Sequence, residues 1–337
     1  MFIHATLLWN EVDIMQHNLS LDFVLSFCKD KVPGRGEDSY CYSFCDTAGL
    51  LGTFDGCGGA GARKHAFYSG HTEAYMASRF CAGVFYDQFR RIFPCGHSAE
   101  TLTAEVFAPQ AAQRLKEFSP PKDESGFQIK GSSVRTLPST AAVALMQQTK
   151  DGAVLVTAIW AGDSRVYIMD SYGLAQLTMD DTTVTDPMVN IYEDGILKNI
   201  LSSDKAINLH CKTVVMREPF VVFSATDGCF GYLSTPMEFE GVLLQTLLNT
   251  NCVANWEKEL QDILGSVAGD DHALCLAAYG YGNYANLQRS FAGRYQYLEK
   301  YYLLPVSRMP LEDRESRYQL WGSYRDHYMR YIKDGKV

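Results

Sequence analysis

The chain has 337 residues, of which 47% are hydrophobic and 20% are charged, and its formal net charge at pH 7 is −9. This composition is typical of a globular protein with ample apolar material for a core. The negative charge argues against nucleic acid as the main partner, because binding to the phosphate backbone requires a basic surface. No apolar run approaches the ~20 residues that span a bilayer, so no membrane partner is expected.

The amino-terminal segment, residues 1–20, lacks the basic region and the uninterrupted apolar stretch of a secretory signal. Its second methionine leaves two candidate starts, Met1 and Met15. The ten cysteines are scattered without a CxxC pair, so neither a structural zinc site nor a disulfide framework is expected. These features predict a reduced protein of the cytoplasm.

The first predicted elements are two short β-prone runs, SYCYSF at 39–44 and LLGTF at 50–54, which flank the turn-forming DTAG and indicate a hairpin. Alanine-rich stretches with helical spacing then predict two helices between residues 62 and 118. A surface loop is predicted at 119–126. AVLVTAIW and RVYIMD, within 153–170, predict a second hairpin.

The second half of the chain contains two continuous apolar runs, FVVFSA at 220–225 and HALCLAAY at 272–279, which predict fully buried strands. Two more helices are predicted between these runs. The order of elements along the chain therefore predicts an α+β fold: strands, two helices, strands, two helices and a final strand. The expected architecture is a central antiparallel β-sandwich flanked by helices on both outer faces, rather than alternating βαβ units.

The composition changes after residue 282. Residues 283–337 contain ten Lys/Arg against six Asp/Glu, a net charge of about +4, and nine of the twenty tyrosines. We expect a C-terminal helical extension in this segment. It could pack on the domain with half-buried tyrosine rings, or it could be a docking or self-association segment for an acidic surface.

Acidic residues stand where the predicted strands begin and end. Glu37 and Asp38 precede the first hairpin strand, and Asp55 follows the second. In a hairpin that turns near Thr47, Asp38 and Asp55 lie almost opposite each other. Facing carboxylates repel each other unless a cation lies between them.

Further along the chain, Asp227 follows a predicted buried strand, and Asp270 and Asp271 precede the last strand. Glycines beside Asp55 and Asp227 allow the backbone to approach a ligand closely. Clusters that offer only oxygen ligands favour hard cations, Mg²⁺ or Mn²⁺, over zinc. Any one of these aspartates is better explained as a turn residue that caps a loop, whereas four in matching contexts favour a metal site.

The motifs GEDSY, GTFDGCGG, STAAVAL, WAGDSRVYIMD, LTMDD, FSATDGCFGYLS and GDDHALCLAA occur in this order between residues 21 and 282. Together they resemble the PPM-type (type 2C) metal-dependent serine/threonine protein phosphatases, and their order and spacing are more specific than any single motif. The resemblance implies that residues 21–282 form a phosphatase domain built as a β-sandwich between helical layers. It also implies two Mn²⁺ or Mg²⁺ ions that activate a water for in-line attack on the phosphorus of a phosphoprotein, without a covalent enzyme intermediate.

The resemblance also assigns roles to individual residues. Asp55 would bridge the two ions, and Glu37, which forms the family's acid pair with Asp38, would act through a water. Asp38, Asp55 and Glu37 are therefore the implied catalytic residues. The implied metal ligands are carboxylates and one backbone carbonyl: Asp38, Asp55, Gly56, Asp227 and Asp271.

Three positions near these ligands depart from the family pattern. Cys57 replaces the histidine of the eukaryotic DGHGG motif, which is interpreted as the general acid for the leaving alkoxide. Pro33 takes the place of the phosphate-binding arginine, and Arg35 is the substitute that we expect to bind the substrate phosphate. His272 replaces the asparagine of the final DN pair, and we expect it to face solvent or to make a hydrogen bond.

A third ion in bacterial-type members uses the GDSR aspartate, here Asp163, and an acid at the position of Gly231. Only the first of these ligands is present, so a third ion is weakly supported. Cys57 could instead be a nucleophile, because CGGAGAR places Arg63 six residues later, as in cysteine phosphatases. An acid two residues before the thiol would raise its pKa, and the strand–loop–helix setting is missing, so the metal mechanism is favoured.

The sequence therefore predicts a cytoplasmic, Mn²⁺- or Mg²⁺-dependent hydrolase of phosphoserine and phosphothreonine in proteins. The alternative is a catalytically weak pseudophosphatase that binds a phosphoprotein or another partner, which Cys57, Pro33 and Gly231 favour. A small-molecule phosphatase on the same scaffold is the third option.

Overall fold

The computed structural model describes residues 20–93, 104–119, 135–193, 195–310 and 312–332. Within them the strands form two antiparallel five-stranded sheets: sheet A in the order β1-β10-β9-β6-β7 and sheet B in the order β2-β3-β4-β5-β8. The strands are β1 (Leu21–Lys29), β2 (Ser39–Phe44), β3 (Ala48–Phe54), β4 (Ala141–Gln148), β5 (Val154–Ala161), β6 (Arg165–Asp170), β7 (Gly173–Gln176), β8 (His210–Met216), β9 (Phe220–Ala225) and β10 (His272–Tyr279).

Side chains cap the first turns of several helices. Thr72 accepts a hydrogen bond from the N–H of Tyr75 in the first turn of α1, and Thr235 and Glu238 form a capping box at α4. A π-helical turn at Glu299–Leu303 joins α6 to α7. The helices are α1 (Glu73–Ile92), α2 (Ala104–Glu117), α3 (Pro187–Tyr192), α4 (Pro236–Asn249), α5 (Val253–Val267), α6 (Tyr284–Leu298), α7 (Leu304–Arg308) and α8 (Arg314–Tyr328).

The two sheets pack face to face around an apolar interior. Leu51 and Trp160 of sheet B meet Val222 and Tyr279 of sheet A in this interior core. Helices α1 and α2 cover the outer face of sheet B, and α4 and α5 cover the outer face of sheet A. The predicted α+β sandwich with helices on both outer faces is therefore confirmed.

The first predicted hairpin is confirmed as β2 and β3, but the second is wrong. Strand β5 pairs with β4 and β8 in sheet B, whereas β6 pairs with β7 and β9 in sheet A. The turn between them begins at Gly162, which has a φ of +95°, and it carries the chain from one sheet to the other. Because both strands are buried on both faces, their apolar pattern could not show which partners they choose.

The first helix also begins later than predicted. Residues 62–72 form a loop with one short 3₁₀ turn at Ala66–Tyr68, and α1 starts at Glu73. Most of the predicted loop at 119–126 lies outside the described residues, as do residues 1–19.

The C-terminal extension packs on the outer face of sheet A. Leu287, Phe291, Trp321 and Tyr328 are buried in the same core as α4. This packing agrees with the first of the two roles considered for the segment. The docking role and the domain boundary at residue 282 stay predictions.

None of the described helices has the length and apolar character needed to cross a bilayer. The nine cysteines within the described residues are free thiols, and Cys95 lies outside them.

Candidate active site

Asp38 and Asp55 lie where β2 begins and β3 ends. The hairpin pairs Ser39 with Phe54, so the next positions outward are Asp38 and Asp55, as predicted. Asp38 is only 2% exposed, and its Oδ2 accepts a hydrogen bond of 2.7 Å from Oγ1 of Thr226. Because Thr226 follows β9, this bond joins the acid-bearing ends of the two sheets.

The start of β4 fixes the backbone of Asp55. Its N–H donates to Oγ1 of Thr140 over 3.1 Å, and its carbonyl accepts from Oγ of Ser139 over 3.0 Å. Its carboxylate accepts no hydrogen bond from the residues that the structure describes. The STAAVAL motif therefore holds the main chain and leaves this carboxylate available to a ligand.

Four buried or partly buried carboxylates and the exposed carboxylate of Asp270 influence one another electrostatically. Burial raises the pKa of Asp38 and Asp55 well above the ordinary range, and the charge of Asp38 raises that of Asp55 further. Burial and then the charge of Asp227 raise the pKa of Asp163 to about 8. Burial and then the charge of Asp270 raise the pKa of Asp227 to about 6. We call these residues the acid centre: Asp38, Asp55, Asp163, Asp227 and Asp270.

Glu37 faces the DGCGG loop instead of the acid centre. Its Oε1 accepts a hydrogen bond from Oγ1 of Thr72, the residue that caps α1. Its Oε2 lies so close to Gly58 that a Cβ at this position would force the Glu37 carboxylate to shift. The carbonyl of Glu37 accepts hydrogen bonds from the N–H of Gly56 and from Oγ of Ser78. Burial raises the pKa of the Glu37 carboxyl.

Asp271 anchors a loop. Its Oδ1 and Oδ2 each accept a 2.7 Å hydrogen bond, from the N–H of Lys31 and of Glu37 respectively. The acid whose charge acts most on the pKa of Asp227 is the neighbouring Asp270. The adjacent acidic pair is the sequence signal for Asp270, whereas the family resemblance implies only Asp271 as a ligand. The metal-binding role of Asp271 stays a prediction.

Two arginines lie near this loop. Arg35, predicted to bind phosphate, is exposed, and its N–H donates to the carbonyl of Val32 over 3.0 Å. Arg79 of α1 was not predicted. Its Nη2 donates to the carbonyl of Gly36 over 3.2 Å, and its guanidinium lies 3.5 Å from the ring centroid of Tyr75. Arg79 therefore holds the backbone that carries the acid pair, whereas the role of Arg35 stays a prediction.

Asp163 and Gly231 define the candidate third site. Oδ1 of Asp163 is buried without a hydrogen-bond partner among the described residues. The N–H of Gly231 donates to the carbonyl of Asp227 over 2.6 Å, but glycine adds no ligand. The structure therefore leaves Asp163 as the single side chain of that predicted pair.

The surroundings of Cys57 argue against a thiolate nucleophile. Burial and then the charge of Asp55 raise the pKa of Cys57 well above the ordinary range, so the thiol stays protonated at neutral pH. Arg63, which suggested a cysteine phosphatase, directs its Nη1 to Oε1 of Glu73 at 4.0 Å.

His272 does not face solvent, so that part of its expected role is wrong. It is 2% exposed, and its ring lies edge-on to Phe27 with 6.1 Å between the ring centroids. Strand β10 lies between β1 and β9 inside sheet A, and helices cover the outer face of that sheet. Burial lowers the pKa of His272.

The donor chemistry of the acid centre fits a hard divalent cation. Within the described ranges, no three His, Cys, Asp or Glu side chains are spaced to enclose a metal ion. The centre nevertheless offers only carboxylate oxygens, including the unpartnered Oδ1 of Asp163. A dication would offset the repulsion that raises these pKa values.

Comparison with known proteins gave matches among solved structures only. A scan against protein-family models and a search of curated proteins each found no match. The serine/threonine phosphatase PstP of Mycobacterium tuberculosis aligns with 76% of this chain and 98% of its own, with a TM-score of 0.52 and 15% identity.

Two further phosphatases agree with this match. A serine/threonine phosphatase of Staphylococcus aureus aligns with 80% of this chain and 99% of its own, with a TM-score of 0.54 and 16% identity. The PPM phosphatase MsPP of Mycobacterium smegmatis, solved with cacodylate, aligns with 77% of this chain and 100% of its own, with a TM-score of 0.52 and 10% identity. The chain therefore has the fold of the PPM-type serine/threonine phosphatases, as its sequence motifs predicted.

Proposed function

We propose that this protein is a metal-dependent phosphomonoesterase that acts on phosphoserine or phosphothreonine in proteins. The observation that carries the proposal is the acid centre, to which five separate chain segments each contribute one carboxylate, and in which burial and neighbouring acidic charges raise the pKa of Asp38, Asp55, Asp163 and Asp227. Unpaired like charges of this kind lower the stability of a fold unless a ligand uses them. The three phosphatases that share the fold support the substrate class.

The proposed ligands for Mn²⁺ or Mg²⁺ are Asp38, Asp55, the carbonyl of Gly56, Asp227 and Asp271. When bound, the ions would activate a water and stabilise charge on the transferred phosphoryl group. Asp270 would add negative charge beside Asp227 and strengthen the preference for a dication. Asp163 is the proposed ligand of any third ion.

The remaining side chains would act on the substrate and on protons. Arg35 would bind phosphate oxygens through its planar guanidinium. Glu37, held by Thr72, would orient a water through its carboxylate. Cys57, which stays protonated, would offer a weak proton donor where eukaryotic relatives use histidine.

A metal-dependence assay tests the proposal. The full chain would be assayed with a phosphothreonine peptide and with p-nitrophenyl phosphate, in Mn²⁺ and in EDTA. We expect turnover only with Mn²⁺, and a loss of at least about 100-fold in Asp55→Asn and in Asp227→Asn, because each removes a charged ligand. Asp262→Asn, on the exposed face of α5, is the matched control and should keep wild-type turnover.

Three other outcomes would each replace the proposal. Wild-type turnover no higher than that of the two variants would support the pseudophosphatase, which binds its partner without hydrolysis. Turnover of p-nitrophenyl phosphate without turnover of the peptide would indicate a small-molecule phosphatase. Turnover that survives Asp55→Asn and disappears in Cys57→Ser would indicate thiol chemistry.

A further inference from the structure

A buried ion pair lies beside the acid centre. Nε of Arg165 donates to Oδ1 of Asp180 over 2.9 Å, and Nη2 donates to Oδ2 over 2.7 Å. Arg165 is 2% exposed and Asp180 is 8% exposed. Arg165 follows Asp163 by two residues, and its guanidinium lies 4.1 Å from the ring centroid of Phe230, in the turn after Asp227. The pair therefore contacts the two turns that carry Asp163 and Asp227.

Helix α8 reaches this ion pair through a chain of hydroxyl groups. The hydroxyl of Tyr328 donates to the hydroxyl oxygen of Tyr167 over 3.3 Å. Nη1 of Arg165 donates to the same oxygen over 3.2 Å. Tyr328 and Tyr167 are buried, with 1% and 0% of their surface exposed, so water does not substitute for either hydroxyl.

A second route from α8 ends on the same carboxylate. Nε1 of Trp321 donates to Oδ1 of Asp186 over 3.0 Å, and the same oxygen accepts the N–H of Met188 in the first turn of α3. One turn further, Nδ2 of Asn190 donates to Oδ2 of Asp180 over 3.0 Å. Two independent contacts of one helix therefore converge on Asp180.

We infer that α8 of the C-terminal extension is a positioning element of the acid centre, with Tyr328 as its principal positioning residue. Tyr328 fixes the Arg165 guanidinium through Tyr167, and Arg165 in turn fixes the turns that carry Asp163 and Asp227. The extension then contributes to metal affinity and turnover and is more than a covering layer. The consequence for turnover rests on the proposed function.

The test compares two tyrosines of the same helix in the full chain. Tyr328→Phe removes only the hydroxyl that reaches Tyr167. Tyr324→Phe is the matched control, because Tyr324 is 2% exposed and its hydroxyl donates to Glu240, away from the ion pair. Three properties of each variant would be measured: the Mn²⁺ affinity by calorimetry, the melting temperature in EDTA, and kcat and KM for the phosphothreonine peptide.

We expect Tyr328→Phe to weaken Mn²⁺ binding about three- to tenfold, the effect of losing one buried hydrogen bond. We expect kcat to fall by a similar factor with KM nearly unchanged, and Tyr324→Phe to bind Mn²⁺ like the wild type. Asn190→Ala tests the second route and should also weaken Mn²⁺ binding, since alanine keeps α3 helical. If Tyr328→Phe does not fold, the Mn²⁺ affinity of Asn190→Ala tests the positioning role of α8 instead.

Two results would overturn the inference while the proposed function stands. One is an active wild type whose Mn²⁺ affinity is unchanged in Tyr328→Phe and in Asn190→Ala. The other is an affinity loss that follows the melting temperature equally in Tyr328→Phe and Tyr324→Phe, which would show a structural role only. A wild type that neither binds Mn²⁺ nor hydrolyses the peptide would overturn both proposals.

Discussion

The acid centre and the contact between α4 and the C-terminal extension both bury carboxylates, but they treat the charge in opposite ways. Glu240 of α4 is 0% exposed, and its oxygens accept hydrogen bonds from Nε and Nη2 of Arg294 over 2.6 and 2.8 Å. In the acid centre, Asp38 and Asp55 face each other without such a cation, and burial raises the pKa of both. A paired buried charge holds the fold together, whereas unpaired like charges mark a place where a ligand is expected.

A single turn, at residues 163–165, carries both an unpaired carboxylate oxygen and the arginine that pairs with another buried carboxylate. Asp163 has a buried oxygen without a partner among the described residues, whereas Arg165 makes two hydrogen bonds to Asp180. The chain can therefore place a cation beside a buried acid at this end of the sandwich. The unpaired state of Asp163 is consistent with selection for a ligand rather than for stability.

The largest expected effect comes from breaking the paired carboxylate. We expect Glu240→Ala to lower the free energy of unfolding by about 3–5 kcal/mol, because Arg294 would stay buried without its partner. Urea denaturation of the full chain in EDTA would measure this loss. Asp227→Asn is the contrast: it removes an unpaired charge and should leave the stability of the metal-free protein equal or higher. Equal destabilisation in both variants would show that the two regions do not differ.

The positions of the acids could be predicted from the sequence, but their partners could not. Two-residue alternation and a short turn were enough to place Asp38 opposite Asp55. The hydrogen bond from Thr226 to Asp38 joins residues 188 positions apart, and the one from Arg79 to Gly36 joins residues 43 positions apart. Contacts of this kind depend on how sheets and helices pack, which local patterns do not encode.

The strand partners show the same limit. Alternation identified β2 and β3 because their turn is short, but β5 and β6 are apolar on both faces and were wrongly paired. The choice between Asp270 and Asp271 likewise depends on the direction of each side chain at the start of β10. The fold class followed from the order of elements, and the arrangement of the acid centre required the coordinates.

A change of one pH unit is expected to alter the stability of the metal-free protein, with an effect smaller than that of Glu240→Ala. Folding raises the pKa of Asp163 to about 8 and of Asp227 to about 6, mainly through burial. Their protonated forms are favoured in the fold, so their contribution to stability is complete below about pH 4 and is lost as pH rises toward 8. We expect the metal-free protein to lose stability as pH rises from about 4, at about 1.4 kcal/mol per pH unit for each group, up to about pH 6 for Asp227 and up to about pH 8 for Asp163. Asp163→Asn should flatten the upper part of that profile.

The extension should show the opposite dependence. Burial, followed by the charge of Arg330, lowers the pKa of His327 to about 4. The contribution of His327 to the stability of the fold is therefore present above about pH 6.5 and is lost as pH falls toward 4. Melting curves in EDTA at pH 4.5, 6.5 and 8 would separate the two limbs, with His327→Gln as the variant for the acid limb. Parallel profiles for the wild type and Asp163→Asn would contradict the assignment of the upper limb to the acid centre.

The smallest effect is expected at Cys57. Its raised pKa keeps the thiol protonated, and serine in Cys57→Ser also stays protonated at neutral pH. We therefore expect turnover of the phosphothreonine peptide to stay within about tenfold of the wild type, since a weak acid contributes little of the usual general-acid effect. Turnover of p-nitrophenyl phosphate, whose phenolate leaves without a proton, should not change. A loss on both substrates as large as that of Asp55→Asn would contradict this minor role and show that the thiol is as essential to turnover as the carboxylates.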